Sequence, residues 1–194
     1  MDAVEKARYT RTLVEEAADC YERWQQSDLR DLKALECFVE RYRLTTEIHP
    51  SPMSCKICYL NYGEGLRLLG IHYWDEEKRL LGAAGAASPA EAQRFRREAA
   101  AAREKWTEHF RSSCDALEAY FATRESIQPE AYDWASQQYA ALGDFGRALS
   151  YLNLLDRSVS LNERDRQKVV ERRNVYKRRH ERQQLEEVRR SLDS

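Results

Sequence analysis

The chain has 194 residues, of which 42% are hydrophobic and 34% are charged, and its formal net charge is -1. This length suits one domain or one compact array of helices. The charged fraction exceeds the typical quarter, which favours long helices with wide solvated faces. The sequence contains no apolar run of about 18 residues, which excludes a membrane-spanning helix. Residues 1–6 lack an apolar signal core, so we expect a cytoplasmic protein.

The charge is unevenly distributed along the chain. Residues 163–194 contain eleven basic and seven acidic residues, a net charge of +4, which leaves -5 for residues 1–162. The candidate basic surface of this last segment consists of Arg172, Arg173, Lys177, Arg178 and Arg179. We favour a capping helix that solubilises the end of the array or pairs with a second copy. Binding to nucleic acid or to an anionic membrane is the alternative, and the interspersed acids Glu171 and Glu181 count against it.

Eight helical segments are predicted from the spacing of apolar residues and from capping signals. They cover approximately residues 2–25, 28–48, 51–70, 72–81, 89–123, 129–142, 145–159 and 163–192. Residues 82–87 are small and predict a loop. Ser88 and Glu91 form a capping box ahead of the fifth segment. That segment is expected to be continuous in preference to a break at Ser112-Ser113, and no run alternates long enough to predict a strand.

The helical hairpin predicted over residues 131–160 has a recurring pattern of large and small side chains. The residues that carry it are Tyr132, Ala135, Ser136 and Tyr139 in the first helix, and Ala148 and Leu152 in the second. With the turn Gly143-Asp144-Phe145 between them, this segment resembles a tetratricopeptide repeat. Ser160 stands where the family has a closing proline. A degenerate copy near residues 56–82 matches in its first helix only.

This resemblance implies an all-α fold of antiparallel hairpins, stacked as an irregular array with a long central and a long C-terminal helix. We divide the expected single domain 1–194 into an N-terminal hairpin (1–50), a degenerate repeat with the long helix (51–125), the repeat-like hairpin (129–160) and a capping helix (163–192). In the family, side chains of each first helix contact the partner. The matching positions here are Asn61, Glu64, Arg67, Asp133 and Gln137. Capture of a C-terminal carboxylate is disfavoured, because two of these five are acidic.

The five cysteines have no disulfide framework that the sequence can predict, because their number is odd and no signal peptide precedes them. Cys55 and Cys58 form a C-x-x-C motif near His49. We expect buried free thiols, with a redox pair or a zinc site as alternatives. No second pair of ligands completes a zinc site, so we predict neither a metal nor any other cofactor.

The motifs of common enzymes are absent from the sequence, and its histidines are dispersed. The paired acids Glu76-Glu77 and Glu186-Glu187 are interpreted as solvated helix faces. We therefore predict a non-catalytic adaptor, scaffold or assembly factor that binds a peptide or helix of another protein in a groove. The alternative is self-association, or binding of nucleic acid or an anionic surface, through the basic C-terminal helix.

Overall fold

The computed structural model describes residues 1–158 and 161–192, and within these residues the chain is all-α, with seven helices and no strand. The helices are α1 (Ala3–Gln26), α2 (Leu32–Ile48), α3 (Lys56–Ala86), α4 (Pro89–Ala122), α5 (Pro129–Ala141), α6 (Phe145–Ser158) and α7 (Glu163–Leu192). None of the described helices is long and apolar enough to cross a membrane. The predicted helix end at Val159 and the repeat end at Ser160 lie outside the described residues.

Helix α3 replaces two predicted helices and a predicted loop. The chain remains helical from Lys56 to Ala86, so the separate segment 72–81 and the loop at 82–87 were wrong predictions. Gly82 and Gly85 lie inside the helix although each costs about 1 kcal/mol relative to alanine. The packing of the last turns, where Ala84 is buried, holds the segment helical. Because no turn divides residues 56–82, the degenerate repeat copy predicted there does not form a helical hairpin.

Helix α4 begins and continues as the sequence indicates. The Glu91 carboxylate accepts hydrogen bonds from the backbone N–H of Ser88 at 3.2 Å and from its hydroxyl at 2.6 Å, which closes the capping box. Pro89 occupies the first turn, where a missing N–H costs nothing. The helix is unbroken to Ala122, which confirms the continuous segment, and Ser113 does not interrupt it because its hydroxyl bonds the carbonyl of Gly63 on α3.

Small residues allow α3 and α4 to approach closely. Contacts with α4 at Gly63, Gly70 and Glu77 of α3 recur every seven residues, the heptad period of a coiled coil. A methyl group added at Gly63 would lie 3.1 Å from Leu117, and one added at Gly70 would overlap the ring of Phe110. These glycines are therefore packing residues of the hairpin. The glycine at position 70, which the sequence suggests as a helix end, is therefore explained by the contact with α4, and the helix continues through it.

The chain consists of two compact units, Met1–Glu125 and Ser126–Ser194. In the N-terminal unit, α1 and α2 pack on each other and on the first half of α3. Their core is apolar and aromatic, and it includes Trp24, Leu35, Phe38, Tyr42, Leu66 and Leu69. Further along the α3–α4 hairpin the core is thinner, consisting of Leu80, Ala99 and Ala102 with Phe95 against them.

The structure pairs four of the five cysteines in this unit. Cys20 of α1 is joined to Cys37 of α2, and Cys55 is joined to Cys58 at the start of α3. Cys114 is buried and belongs to neither disulfide. The expectation of free thiols was therefore wrong for these four cysteines. Helix packing brings Cys20 and Cys37 together, which their spacing in the sequence cannot indicate, whereas the C-x-x-C spacing of Cys55 and Cys58 had left a redox pair open as an alternative.

The C-terminal unit consists of the repeat-like hairpin and the last helix. Ala135 and Ala148 are fully buried where α5 and α6 meet, and the rings of Tyr139 and Tyr151 stack with centroids 5.6 Å apart. Gly143 has a φ of 85° in the turn, a conformation that favours glycine. The small-residue contact and the glycine turn predicted for this hairpin are thus present.

Helix α7 packs along α6 on one side. Val169 is 2% exposed and joins Leu152 and Leu155 in a small core. Further along α7 the contact continues to Gln183, whose side chain donates a hydrogen bond to the carbonyl of Gly143 at 2.9 Å. The contacts of α7 with α6 and with the turn before it therefore extend from Val169 to Gln183.

Candidate functional site

A cleft of about 320 Å³ opens in the C-terminal unit, between the start of α5, the end of α6 and the first turns of α7. Its volume lies at the lower end of the range of about 300–1,000 Å³ found for ligand pockets. Apolar side chains and charged side chains line it together. The lining residues are Pro129, Glu130, Asp133, Trp134, Leu155, Leu161, Asp165, Lys168, Val169 and Arg172.

The local sequence explains why α5 presents Asp133 to this cleft. Pro129 starts the helix, and Asp133 follows one turn later on the same face. The next residue on that face is Gln137, whose amide donates a hydrogen bond to the Asp133 carboxylate at 2.7 Å. The two positions predicted from the repeat pattern therefore form a fixed polar pair, with Asp133 at the cleft and Gln137 beside it.

The opposite wall of the cleft comes from the first turns of α7. Asn162 caps the helix by accepting a hydrogen bond from the backbone N–H of Asp165 at 2.9 Å. The Lys168 ammonium, 3.0 Å from Asp165, and the Asn162 amide hold the pKa of this carboxyl below its ordinary value. One turn further, Arg172 reaches across and pairs with Asp133 at 2.7 Å.

This ion pair joins two groups of candidate residues that were predicted separately. Asp133 belongs to the predicted groove and Arg172 to the predicted basic helix, and both side chains are 29% exposed. The pair is therefore partly shielded from water and fixes α7 relative to α5. At its rim the cleft carries three carboxylates and two basic side chains, so its lining has a formal charge of -1.

The remaining basic candidates also have partners within this unit. Arg173 bonds the Asp156 carboxylate at 2.8 Å, and the Arg179 guanidinium lies 5.5 Å from the ring centroid of Phe145. Lys177 is 3.9 Å from Glu181 on the same helix, and Arg178 donates to a backbone carbonyl of its own helix. Phosphate binding by these side chains would have to compete with internal contacts.

The other three groove candidates lie together on α3 in the N-terminal unit. Asn61 donates a hydrogen bond to the hydroxyl of Tyr42 on α2 at 2.8 Å. Burial raises the pKa of Glu64, and the nearby Arg67 opposes that rise. All three side chains are only partly exposed. Asn61 thus contributes to the contact between α2 and α3, and the open candidate surface is the cleft lined by Asp133.

Sequence reasoning missed one buried charged residue, Glu77 on α3. Its side chain is 6% exposed, and the carboxylate accepts hydrogen bonds from Arg103 Nε at 2.7 Å and from Trp106 Nε1 at 2.6 Å, both on α4. The interpretation of Glu76-Glu77 as a solvated face was correct for Glu76, which pairs with Arg79 on the surface, and wrong for Glu77. The sequence does contain a signal for the burial of Glu77. It follows Gly70 by seven residues, so the two residues lie on the same face of α3.

Across residues 1–158 and 161–192, no group of three or more His, Cys, Asp or Glu side chains could hold a metal ion. His109 lies against Tyr73, with ring centroids 5.6 Å apart, and burial lowers its pKa.

No protein-family model, curated protein or solved structure matches the chain. The resemblance to a tetratricopeptide repeat therefore rests on residues 131–158 and on their observed packing.

Proposed function

We propose that this chain is a non-catalytic interaction module whose C-terminal unit binds a peptide or helix of another protein in the cleft between α5, α6 and α7. The proposal depends chiefly on the position of Asp133. The repeat pattern selects this residue as a partner contact, and it lines the cleft. In this proposal the α5–α6 hairpin acts as one unit of an irregular tetratricopeptide-like array.

The lining of the cleft defines the chemistry of the partner segment. Leu155, Leu161 and Val169 offer an apolar floor for one side chain, and Trp134 adds an aromatic wall. Burial of an apolar anchor in such a pocket supplies most of the affinity of a typical peptide contact. The excess carboxylate at the rim favours a lysine or arginine next to the anchor. The expected ligand is therefore a segment with an apolar residue flanked by a basic one.

The internal ion pair supports a rigid site. The Asp133–Arg172 contact joins α5 to α7 across the cleft before binding, and the Asp165–Lys168 contact links two side chains within α7. A preformed cleft loses less conformational freedom when a ligand binds, which raises affinity without additional contacts.

Selection from a phage library of random twelve-residue peptides on the immobilised full chain tests this proposal. We expect the selected peptides to share an apolar residue adjacent to lysine or arginine. Asp133→Arg should abolish enrichment of these peptides, because it places a positive charge against the basic flank and breaks the ion pair between Asp133 and Arg172. The matched control is Glu171→Arg, the same change at an exposed residue of α7 that does not line the cleft. Selection without a shared motif, or equal enrichment on the Asp133→Arg variant, would contradict the proposal.

A further inference from the structure

Helix α7 carries two parallel lines of residues at heptad spacing. The first line packs on α6 and consists of Val169, Arg173, Tyr176, His180 and Gln183, all buried or partly exposed. The second line is displaced by one residue and consists of Val170, Asn174, Lys177, Glu181, Gln184 and Val188, all exposed. One residue is about 100° around the helix axis, so the second line lies to one side of the α6 contact, on the exposed surface of α7.

The spacings of the exposed line are four, three, four, three and four residues. These are the spacings between the a and d positions of a coiled coil, with valine at the two end positions and polar residues at the four positions between them. Over 18 residues the line is about 27 Å long. Its two end positions are the valines, which are 38% and 56% exposed. None of its six residues lines the cleft described above.

The order of residue types along this line is self-complementary. Read from either end it gives valine, a side-chain amide and a charged residue, and the two central charges are opposite in sign. If a second α7 lies antiparallel with the two-fold axis between Lys177 and Glu181, then Lys177 of each copy faces Glu181 of the other. In the same register Asn174 faces Gln184, and Val170 faces Val188.

We propose that the exposed heptad line of α7 pairs antiparallel with the same line of a second copy of this chain. The charge pairs and the amide pairs fix the register, as polar residues at a and d positions do in coiled coils. A parallel arrangement would place Lys177 against Lys177 and Glu181 against Glu181, which is repulsive. The proposal is independent of peptide binding in the cleft, because the two surfaces share no residue.

Only the two end positions of the line are apolar, so the expected dimer is weak and depends on concentration. Sedimentation velocity of the full chain over a hundredfold concentration range should show a monomer–dimer equilibrium. Lys177→Glu should weaken the dimer about tenfold, which corresponds to about 1.4 kcal/mol, because it turns both symmetry-related charge pairs into repulsions. The double variant Lys177→Glu/Glu181→Lys restores both pairs and should recover the wild-type dissociation constant.

The intrahelical contact between Lys177 and Glu181, at 3.9 Å, changes in the same variants. The helical circular dichroism signal of each variant, measured where it is monomeric, separates a loss of helix from a loss of dimer. Arg178→Glu, at an exposed residue beside the line, is the matched control for charge and should weaken the dimer less than Lys177→Glu.

Cross-linking tests the register in a Cys114→Ser background. A mixture of Val170→Cys and Val188→Cys chains should form a disulfide-linked dimer on mild oxidation, whereas either variant alone should not. A wild-type chain that stays monomeric over the whole range would overturn the proposal. So would a failure of the double charge variant to recover, or self-cross-linking of Val170→Cys, which would indicate parallel helices.

Discussion

The buried carboxylate of Glu77 predicts an asymmetric effect of removing the two partners of one ion pair. The Glu77 side chain is 6% exposed, whereas the Arg103 side chain is 64% exposed. Arg103→Met leaves a buried carboxylate with the Trp106 indole as its remaining donor from α4, while Glu77→Met leaves an arginine that water can solvate. Loss of one partner of a fully buried pair costs about 3–5 kcal/mol, and the exposure of Arg103 reduces our expectation to about 2–3 kcal/mol.

The converse substitution replaces a buried charge by an apolar side chain of similar length. Glu77→Met should cost about 1 kcal/mol, chiefly through the hydrogen bond lost by Trp106. The double variant Glu77→Met/Arg103→Met should cost no more than Glu77→Met alone, because the arginine has no carboxylate left to neutralise. The two single effects are therefore expected to be strongly non-additive.

Urea denaturation followed by tryptophan fluorescence measures these free energies of unfolding. Trp134 is the only tryptophan outside the N-terminal unit, so a Trp134→Phe background restricts the signal to that unit. Arg97→Met, at another exposed arginine of α4, is the matched control and should change stability by less than about 0.5 kcal/mol. An Arg103→Met variant that loses no more free energy of unfolding than Glu77→Met would refute the expected asymmetry.

Three further substitutions test the packing and the cross-linking of the N-terminal unit by thermal and chemical unfolding. Gly70→Ala should lower the free energy of unfolding by about 1–3 kcal/mol, because the added methyl group overlaps a ring of α4. Gly82→Ala, where nothing lies within 4 Å, should raise it by about 0.5–1 kcal/mol. Equal effects of the two substitutions would contradict the close contact at Gly70. Cys20→Ser should cost about 3 kcal/mol under non-reducing conditions, since the bond to Cys37 spans 17 residues. A variant as stable as the oxidised wild type would contradict that cross-link.

The features that the sequence predicts well are local. The capping box of Ser88 and Glu91, the helix start at Pro129 and the turn at Gly143 each depend on residues within a few positions, and all three are present. The continuity of α3 could not be predicted in this way. Gly70 resembles a helix stop when only its neighbours in sequence are considered, and the reason for a glycine there is an aromatic ring 40 positions away on α4.

The candidate site was predictable residue by residue but not as an arrangement. Asp133 was selected by the repeat pattern and Arg172 by the basic run, each from its own helix. Their contact depends on the direction in which the chain returns from α6 to α7, which no short-range signal specifies. The exposed line of α7 is a similar case. Its heptad spacing is present in the sequence, but it is distinguished from the neighbouring line only once Val169 is seen to pack on α6.

The position of Glu77 along the α3–α4 hairpin explains why a charge is buried there. Alanine and glycine layers allow close approach but distinguish poorly between registers, because one small layer resembles the next. The apolar core of this part of the hairpin is limited to Leu80, Ala99 and Ala102 with one flanking phenylalanine. A slip of one heptad would displace Arg103 by about 10 Å along the axis and leave Glu77 buried without it. The free energy that opposes such a slip includes the cost of separating Glu77 from Arg103, together with the loss of the close contact between Gly70 and Phe110. Arg103→Met measures the first of these contributions.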